Sequence, residues 1–320
     1  MCRFVLAAVV LCALGAPAFA EYPDRSIRLI VPQAAGANSD LYARLVGAEM
    51  GKSLGQQIVV ENRPGGAFAI GLDAIAKAAP DGYTMGIGLI GGMALTPHML
   101  AKVPYDIEND FVPVGMIARG YLILAISPQL QVGSVQELID LAKKNPGKLT
   151  VASSGTGSPG HVGAELFKYM TGTQITHVSY RGGAPAINDL MAGRVDMMFE
   201  GLASMAPFIL DGRLRAVGIS GEKRSAAFPN VPTIQEAGVP GYVDVTWLGI
   251  VVPAKTPRPL VDRLNKALNE ALRSQLITDR MKLIGEDAAP GTPEEYASVI
   301  KADSAKWKAV IERAGIKLQE

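Results

Sequence analysis

Short runs rich in Val and Ile recur along this chain with room for one helix between neighbours. That rhythm restricts the fold more than any single motif. Ile27–Val31, Gln57–Val60, Tyr83–Gly88, Tyr121–Ser127, Leu149–Ser153, Ile175–Tyr180, Val195–Glu200 and Leu214–Ser220 read as strands. The helices between them have legible ends. Ser134 and Glu137 form a capping box, and Asn145-Pro146-Gly147 ends that helix. Thr292-Pro293-Glu294-Glu295 opens another, whose apolar face is Tyr296, Val299, Ile300, Trp307, Val310 and Ile311. Strand–helix alternation predicts an α/β chain of parallel sheets with helices on both faces. A late β-rich run, Tyr242–Val252, precedes helices only, an arrangement that suits a discontinuous two-lobe fold. At 320 residues the chain has length for two domains, at about 150 residues each.

The first twenty residues read as an address. Arg3 is the basic n-region, Phe4–Ala16 the apolar h-region, and Ala18-Phe19-Ala20 an A-x-A cleavage site, so cleavage is expected after Ala20. The apolar stretch is too short to span a bilayer. Cys12 follows Leu11, where a lipoprotein signal needs a small residue. Cys2 and Cys12 both lie in this leader, which leaves the mature chain without a disulfide, thiolate nucleophile or Cys-ligated metal. Lys plus Arg number 31 and Asp plus Glu 30. Losing the leader removes Arg3 and no acid, so the mature chain is balanced and has no global field for nucleic acid or anionic lipid.

Ligands of open α/β sheets sit at the C-terminal ends of strands. Two strand-to-helix junctions there are rich in small residues: Pro32–Asp40, with Gly36, Ala37 and Ser39, and Ser154–His161, with Gly155, Thr156, Gly157, Ser158 and Gly160. Small residues admit a ligand close to the backbone, and a helix N-terminus offers unpaired N–H groups and a positive dipole end. The first loop, taken alone, reads as an ordinary capped turn. The second reads as an anion site. Gly155-x-Gly157-x-x-Gly160 also has the form of a dinucleotide fingerprint, yet Tyr180-Arg181 stands where an acid should meet the ribose. Thr156 breaks the nucleophile-elbow pattern. The histidines number three, and His161 with Glu165 is a two-member set, weak as a metal site.

Together the segments are more specific. They include Y-P-D-R-S-I-R-L-I-V-P from Tyr22, V-V-E-N-R-P-G-G from Val59, P-D-G-Y-T from Pro80 and V-P-Y-D-I-E-N-D-F-V-P-V from Val103. S-S-G-T-G-S-P-G-H from Ser153, H-V-S-Y-R-G from His177 and G-R-L-R-A-V from Gly212 follow. F-P-N-V-P-T-I-Q-E-A-G from Phe228 and W-L-G-I-V-V-P from Trp247 complete the set. In these the chain resembles the Bug-type extracytoplasmic solute receptors of tripartite tricarboxylate transporters.

The resemblance implies a type II periplasmic-binding fold, α/β, with two lobes, each a mainly parallel sheet flanked by helices. Residues 21–120 plus 247–320 would form the first lobe and 121–246 the second. It implies a monomer without cofactor, metal or catalysis that captures a small organic acid and hands it to integral-membrane permease subunits. Gly36, Ala37, Ser39 and Asp40 would form one jaw on the ligand carboxylate; Ser154, Thr156, Gly157 and Ser158 would form the other, with His161 in the adjoining helical turn. Ala37 and Gln33 depart from the family pattern of Gly and an aromatic, and Gln33 adds a polar group at the ligand. Glu200 ends its strand either as an acceptor for an ammonium or amide group or as a solvated strand end. Rival readings are an exported dinucleotide-binding oxidoreductase and a ligand sensor for a membrane kinase.

Overall fold

The computed structural model describes residues 22–284 and 286–314. The expected leader and its cleavage site lie outside the described residues. Strand β1 (Ile27–Val31) leads through a loop to α1 (Asn38–Leu54), then β2 (Ile58–Asn62), α2 (Ala69–Ala76) and β3 (Thr84–Leu89). A π-helical turn, Gly91–Leu95, runs into the short α3 (Thr96–Met99). There follow β4 (Phe111–Ile126), α4 (Val135–Lys144), β5 (Thr150–Ser153), α5 (Pro159–Thr171), β6 (Thr176–Ser179) and α6 (Gly183–Met191). Next come β7 (Met197–Gly201), α7 (Leu202–Leu210), β8 (Arg215–Ile219) and β9 (Val245–Pro253). The chain finishes with α8 (Arg258–Leu272), α9 (Gln275–Ile284), β10 (Asp287–Ala288) and α10 (Pro293–Ala314).

The strands form one curled sheet in the order β2-β1-β3-β9-β4-β7-β5-β6, with β8 and β10 also paired to β4. The fold has two α/β lobes, and β4 belongs to both. Its first part pairs with β9 from Phe111↔Pro253 to Tyr121↔Val245. From Leu122 onward it pairs with β7, and from Ile123 with β8 as well. The sets β2-β1-β3 and β6-β5-β7 are parallel, as the strand–helix rhythm predicts. Strands β4 and β9 run antiparallel to every partner, because the chain leaves the first lobe on one and returns on the other. Strand β4 also begins ten residues before the expected Tyr121, and its ladder shifts register between Pro113 and Gly115. Proline donates no ladder hydrogen bond, so a bulge is where a strand tolerates it.

The last helices fold back onto the first lobe. In α10, Tyr296 and Trp307 are buried with Trp247 of β9, and Tyr296 meets the Trp247 ring edge-on with centroids 5.6 Å apart. The polar tips of Tyr296 and Trp247 are satisfied: Tyr296 Oη donates to the Gly88 carbonyl at 2.8 Å, and Trp247 Nε1 donates to Asp303. Each such burial contributes about 1.5–3 kcal/mol, which a paired polar tip preserves. Both expected helix starts are capped, although Glu137 Oε2 reaches back to Gly133 N rather than to Ser134 N. Ser134 Oγ accepts from Glu137 N, and Thr292 Oγ1 accepts from Glu295 N while Glu295 accepts from Thr292 N. The two-residue β10, on Arg119 and Ala118, interrupts what reads in sequence as a purely helical tail. No helix among the described residues is long and apolar enough to cross a membrane.

Candidate functional site

The β1–α1 and β5–α5 loops come from different lobes and face one another across a cleft of about 570 Å³. The approach is close: a Cβ placed on Gly182, ahead of α6, would stand 3.2 Å from the Ala34 Cβ. Pro32, Gln33 and Ala34 line one wall, and Ser154, Gly155 and Thr156 the other. Two further segments complete it, Pro64–Phe68 after β2 and Ser179–Gly182 after β6. Among the described residues, Arg181 is the one charged group in the lining, and no acid pairs with its guanidinium.

In the first loop, Asp40 is a brace. Its carboxylate accepts from Gly36 N at 3.0 Å, from Asn62 Nδ2 at 2.9 Å and from Arg44, four residues on, at 2.9 Å. Burial by itself would raise its pKa, but the hydrogen bonds from Arg44, Gly36 and Asn62 outweigh that and hold it below the usual carboxylate range. Asn62 Nδ2 also reaches the Gln33 carbonyl at 3.0 Å, so β2 pins this loop from the side. Ser39 Oγ donates to Gln33 Oε1 at 2.5 Å and fixes the side chain that fronts the cleft.

The second loop is held from behind by two histidines. His161 Nδ1 accepts the Gly157 N–H at 3.1 Å, and its ring stacks on His177 with centroids 3.9 Å apart. His177 Nε2 lies 2.7 Å from Ser153 Oγ, which in turn donates to the Gly155 carbonyl. Burial, with Lys168 adding to it, pushes His161 down to about 4. Burial, then the neighbouring His161, with Lys168 also lowering and Glu165 opposing, pushes His177 down to about 4. Both imidazoles are therefore neutral near pH 7, as an acceptor facing an N–H requires. Ser158 Oγ caps α5 by accepting from His161 N at 3.3 Å. Gly160 permits the tight seating of α5 on β7, since a Cβ there would stand 2.1 Å from the Phe199 carbonyl oxygen. That is the packing role of the third glycine in the fingerprint, served here without an acidic ribose partner.

These bonds change the division of labour expected from sequence. The N–H groups of Gly36, Ala37, Gly157 and Ser158 go to Asp40, the Ala34 carbonyl, His161 and the Gly155 carbonyl. Gly36, Ala37, Asp40, Gly157, Ser158 and His161 thus shape the jaws from behind, while Gln33, Ser154 and Thr156 line the cleft. The sequence reading missed Arg181, Tyr180 and the Gly65–Phe68 segment as cleft lining. The only sequence signal for them was their place just after strands, in N-R-P-G-G and S-Y-R-G.

Below the cleft lies a second, smaller chamber of about 40 Å³, and Gln33 and Ser154 line both spaces. Its walls include Asn38, Ser39 and Glu200, with Trp247 and Leu122 as apolar sides. Glu200 is 8 % exposed and stands one residue before the end of β7, so it is no solvated strand end. Burial raises its pKa, opposed by the Gly201 N–H and by the Ser154 hydroxyl.

The family model described as tripartite tricarboxylate transporter family receptor matches residues 42–316. Protein BugT of Bordetella pertussis is 35% identical over 308 residues, covering 96% of this chain and 94% of BugT. The structure of R. palustris Rpa4515 with adipate superposes with a TM-score of 0.90 at 36% identity, over 93% of this chain and 99% of that one. MatC from Rhodopseudomonas palustris with bound malate superposes at 0.87 with 30% identity, over 91% of this chain and 100% of that one. These are binding proteins. The chain belongs to the tripartite tricarboxylate transporter receptor family of periplasmic solute-binding proteins.

Proposed function

We propose that this chain captures a small organic acid in the cleft between its lobes and delivers it to integral-membrane permease subunits. One observation carries the reading: the cleft is lined from both lobes, holds no acid, and has the unpaired Arg181 as its one charged lining group among the described residues. The adipate and malate bound by the two R. palustris proteins support the same ligand class. In this reading Gln33, Ser154 and Thr156 touch the acid, Arg181 supplies the charge, and Gly36, Ala37, Ser39, Asp40, Gly157, Ser158 and His161 hold the jaws in shape. Residues 21–120 and 247–320 move as one lobe and 121–246 as the other. The turning points are where β4 changes partners near Tyr121 and Leu122 and where β9 begins opposite them. Closure excludes water and strengthens the contacts to the carboxylate. The protein acts in the periplasm as a monomer, after cleavage following Ala20, and performs no reaction on its ligand.

Thermal unfolding of ligand-stripped protein against a panel of small carboxylates tests this. A specific ligand at a hundred times its Kd adds about 2.7 kcal/mol, a rise of several degrees in Tm for a chain of this size. Arg181→Ala, an exposed position, lowers affinity about tenfold while leaving the ligand-free Tm in place. A panel without any shift, or an Arg181→Ala protein that binds as before, overturns the reading.

A further inference from the structure

The small chamber is built of groups that lack what they need. Glu200 Oε1 accepts the Gly201 N–H at 3.0 Å and the Ser154 hydroxyl lies beside the carboxyl group, but Oε2 is buried and makes no hydrogen bond among the described residues. Asn38 Oδ1, on another wall of the same chamber, is buried and unpartnered as well. The Ser39 hydroxyl is already spent on Gln33. Among the described residues no Lys, Arg or His lines the space, so no countercharge there faces the carboxyl group. A buried carboxylate left unpaired is costly, and a buried acceptor without a donor carries its whole desolvation penalty.

Size narrows what would relieve this. One water-sized group needs about 10–15 Å³ of such volume, so about 40 Å³ admits an ammonium, hydroxyl or water but not the body of an organic acid. A carboxylate would set its oxygens against Glu200 Oε2 and Asn38 Oδ1. A hydroxyl brings one hydrogen for two acceptors and leaves the charge unmatched. An ammonium brings three hydrogens and the missing positive charge. The chamber adjoins the cleft at Gln33 and Ser154, so a group entering it belongs to a molecule whose carboxylate lies among the jaws.

We propose that this chamber is a subsite for the amino group of the ligand, with Glu200 as its acceptor, and that the receptor selects amino acids over the corresponding unsubstituted and hydroxy acids. The proposal rests on the receptor reading above and adds the ligand's substituent to it. Burial raises the Glu200 pKa in the free protein and an arriving ammonium lowers it again, so any proton exchanged on binding is released rather than taken up.

The test is calorimetry on the ligand-free mature chain with matched acids that differ only at one carbon. The series are aspartate, malate and succinate; glutamate, 2-hydroxyglutarate and glutarate; and phenylalanine, phenyllactate and phenylpropionate. The expected result is at least tenfold tighter binding of the amino member in the series that binds. Glu200→Gln collapses that preference ratio. An unsubstituted or hydroxy acid that binds as tightly as its amino counterpart overturns the proposal and leaves the receptor reading standing; so does proton uptake on binding. The wild-type ratios decide this even if Glu200→Gln does not fold. No binding by any acid in the panel sinks both readings together.

Discussion

Acidification tests how the second jaw is held. His161 Nδ1 accepts the Gly157 N–H, and the ring lies stacked on His177. A proton on Nδ1 turns that acceptor into a donor facing a donor, and a second proton sets two like charges face to face. The gap between the ordinary histidine value of 6.5 and about 4 corresponds to about 3 kcal/mol, at 1.36 kcal/mol for each tenfold difference. The unfolded chain takes up its proton at the ordinary value, whereas the folded chain resists it until about pH 4. The stabilisation is therefore complete above pH 6.5, declines as pH falls through 6 and 5, and is gone below about 4. His177, part-exposed, adds a smaller contribution of the same sign.

Urea unfolding at steps from pH 7.5 to 4.5 reads this, with His161→Gln beside the wild type. Glutamine keeps an acceptor for the Gly157 N–H and cannot titrate. The wild type should lose stability more steeply than the variant by about 1.4 kcal/mol per pH unit, the value for one proton. The imidazole CH resonances of His161 should stay at their neutral positions in NMR spectra down to about pH 5. An imidazole that titrates near 6.5, or equal slopes for the two proteins, would refute the reasoning.

Two further substitutions test the scaffold around the jaws. Gly160→Ala drives a methyl against the Phe199 carbonyl oxygen, which stands 2.1 Å from the position of the new carbon. Overpacking of this kind costs about 1–3 kcal/mol, so Tm should fall by several degrees, and an unchanged midpoint would show that α5 is not wedged against β7. Asp40→Ala strands the Gly36 N–H and removes one of the two acceptors of the Asn62 amide. It should cost about 2 kcal/mol in urea unfolding and weaken carboxylate binding, with far-UV circular dichroism retained. Unaltered binding would remove Asp40 from the support of the first jaw.

The rhythm of Val/Ile runs located eight strands, and the capping residues Ser134 and Thr292 located two helix starts, because both signals are local. The front half of β4 was illegible for an equally local reason. Pro113, Gly115 and Gly120 interrupt the run and argue against a strand, and pairing with β9 and β10, more than a hundred residues away, holds it extended. The site was legible as loops but not as roles. Gly157 and Ser158 have the residue types of an anion cradle, yet their N–H groups go to His161 and Gly155, a choice made by three-dimensional neighbours. The Gly65–Phe68 segment escaped notice because Ala67 and Phe68 adopt positive φ values of 48° and 75°, which neither residue type announces.

The strand at the centre of the first lobe is also the last long one to be made. Strand β9 sits between β3 and β4, so until residue 253 has emerged from the ribosome or a translocation pore, two neighbours face each other across an empty lane. Throughout that interval both bare edges offer unpaired N–H and C=O groups to other chains. The second lobe, enclosed between the two crossings, can assemble while the first waits. Keeping the nascent chain apart from its copies over that window is a burden on chaperones, set by the order in which this sheet is filled.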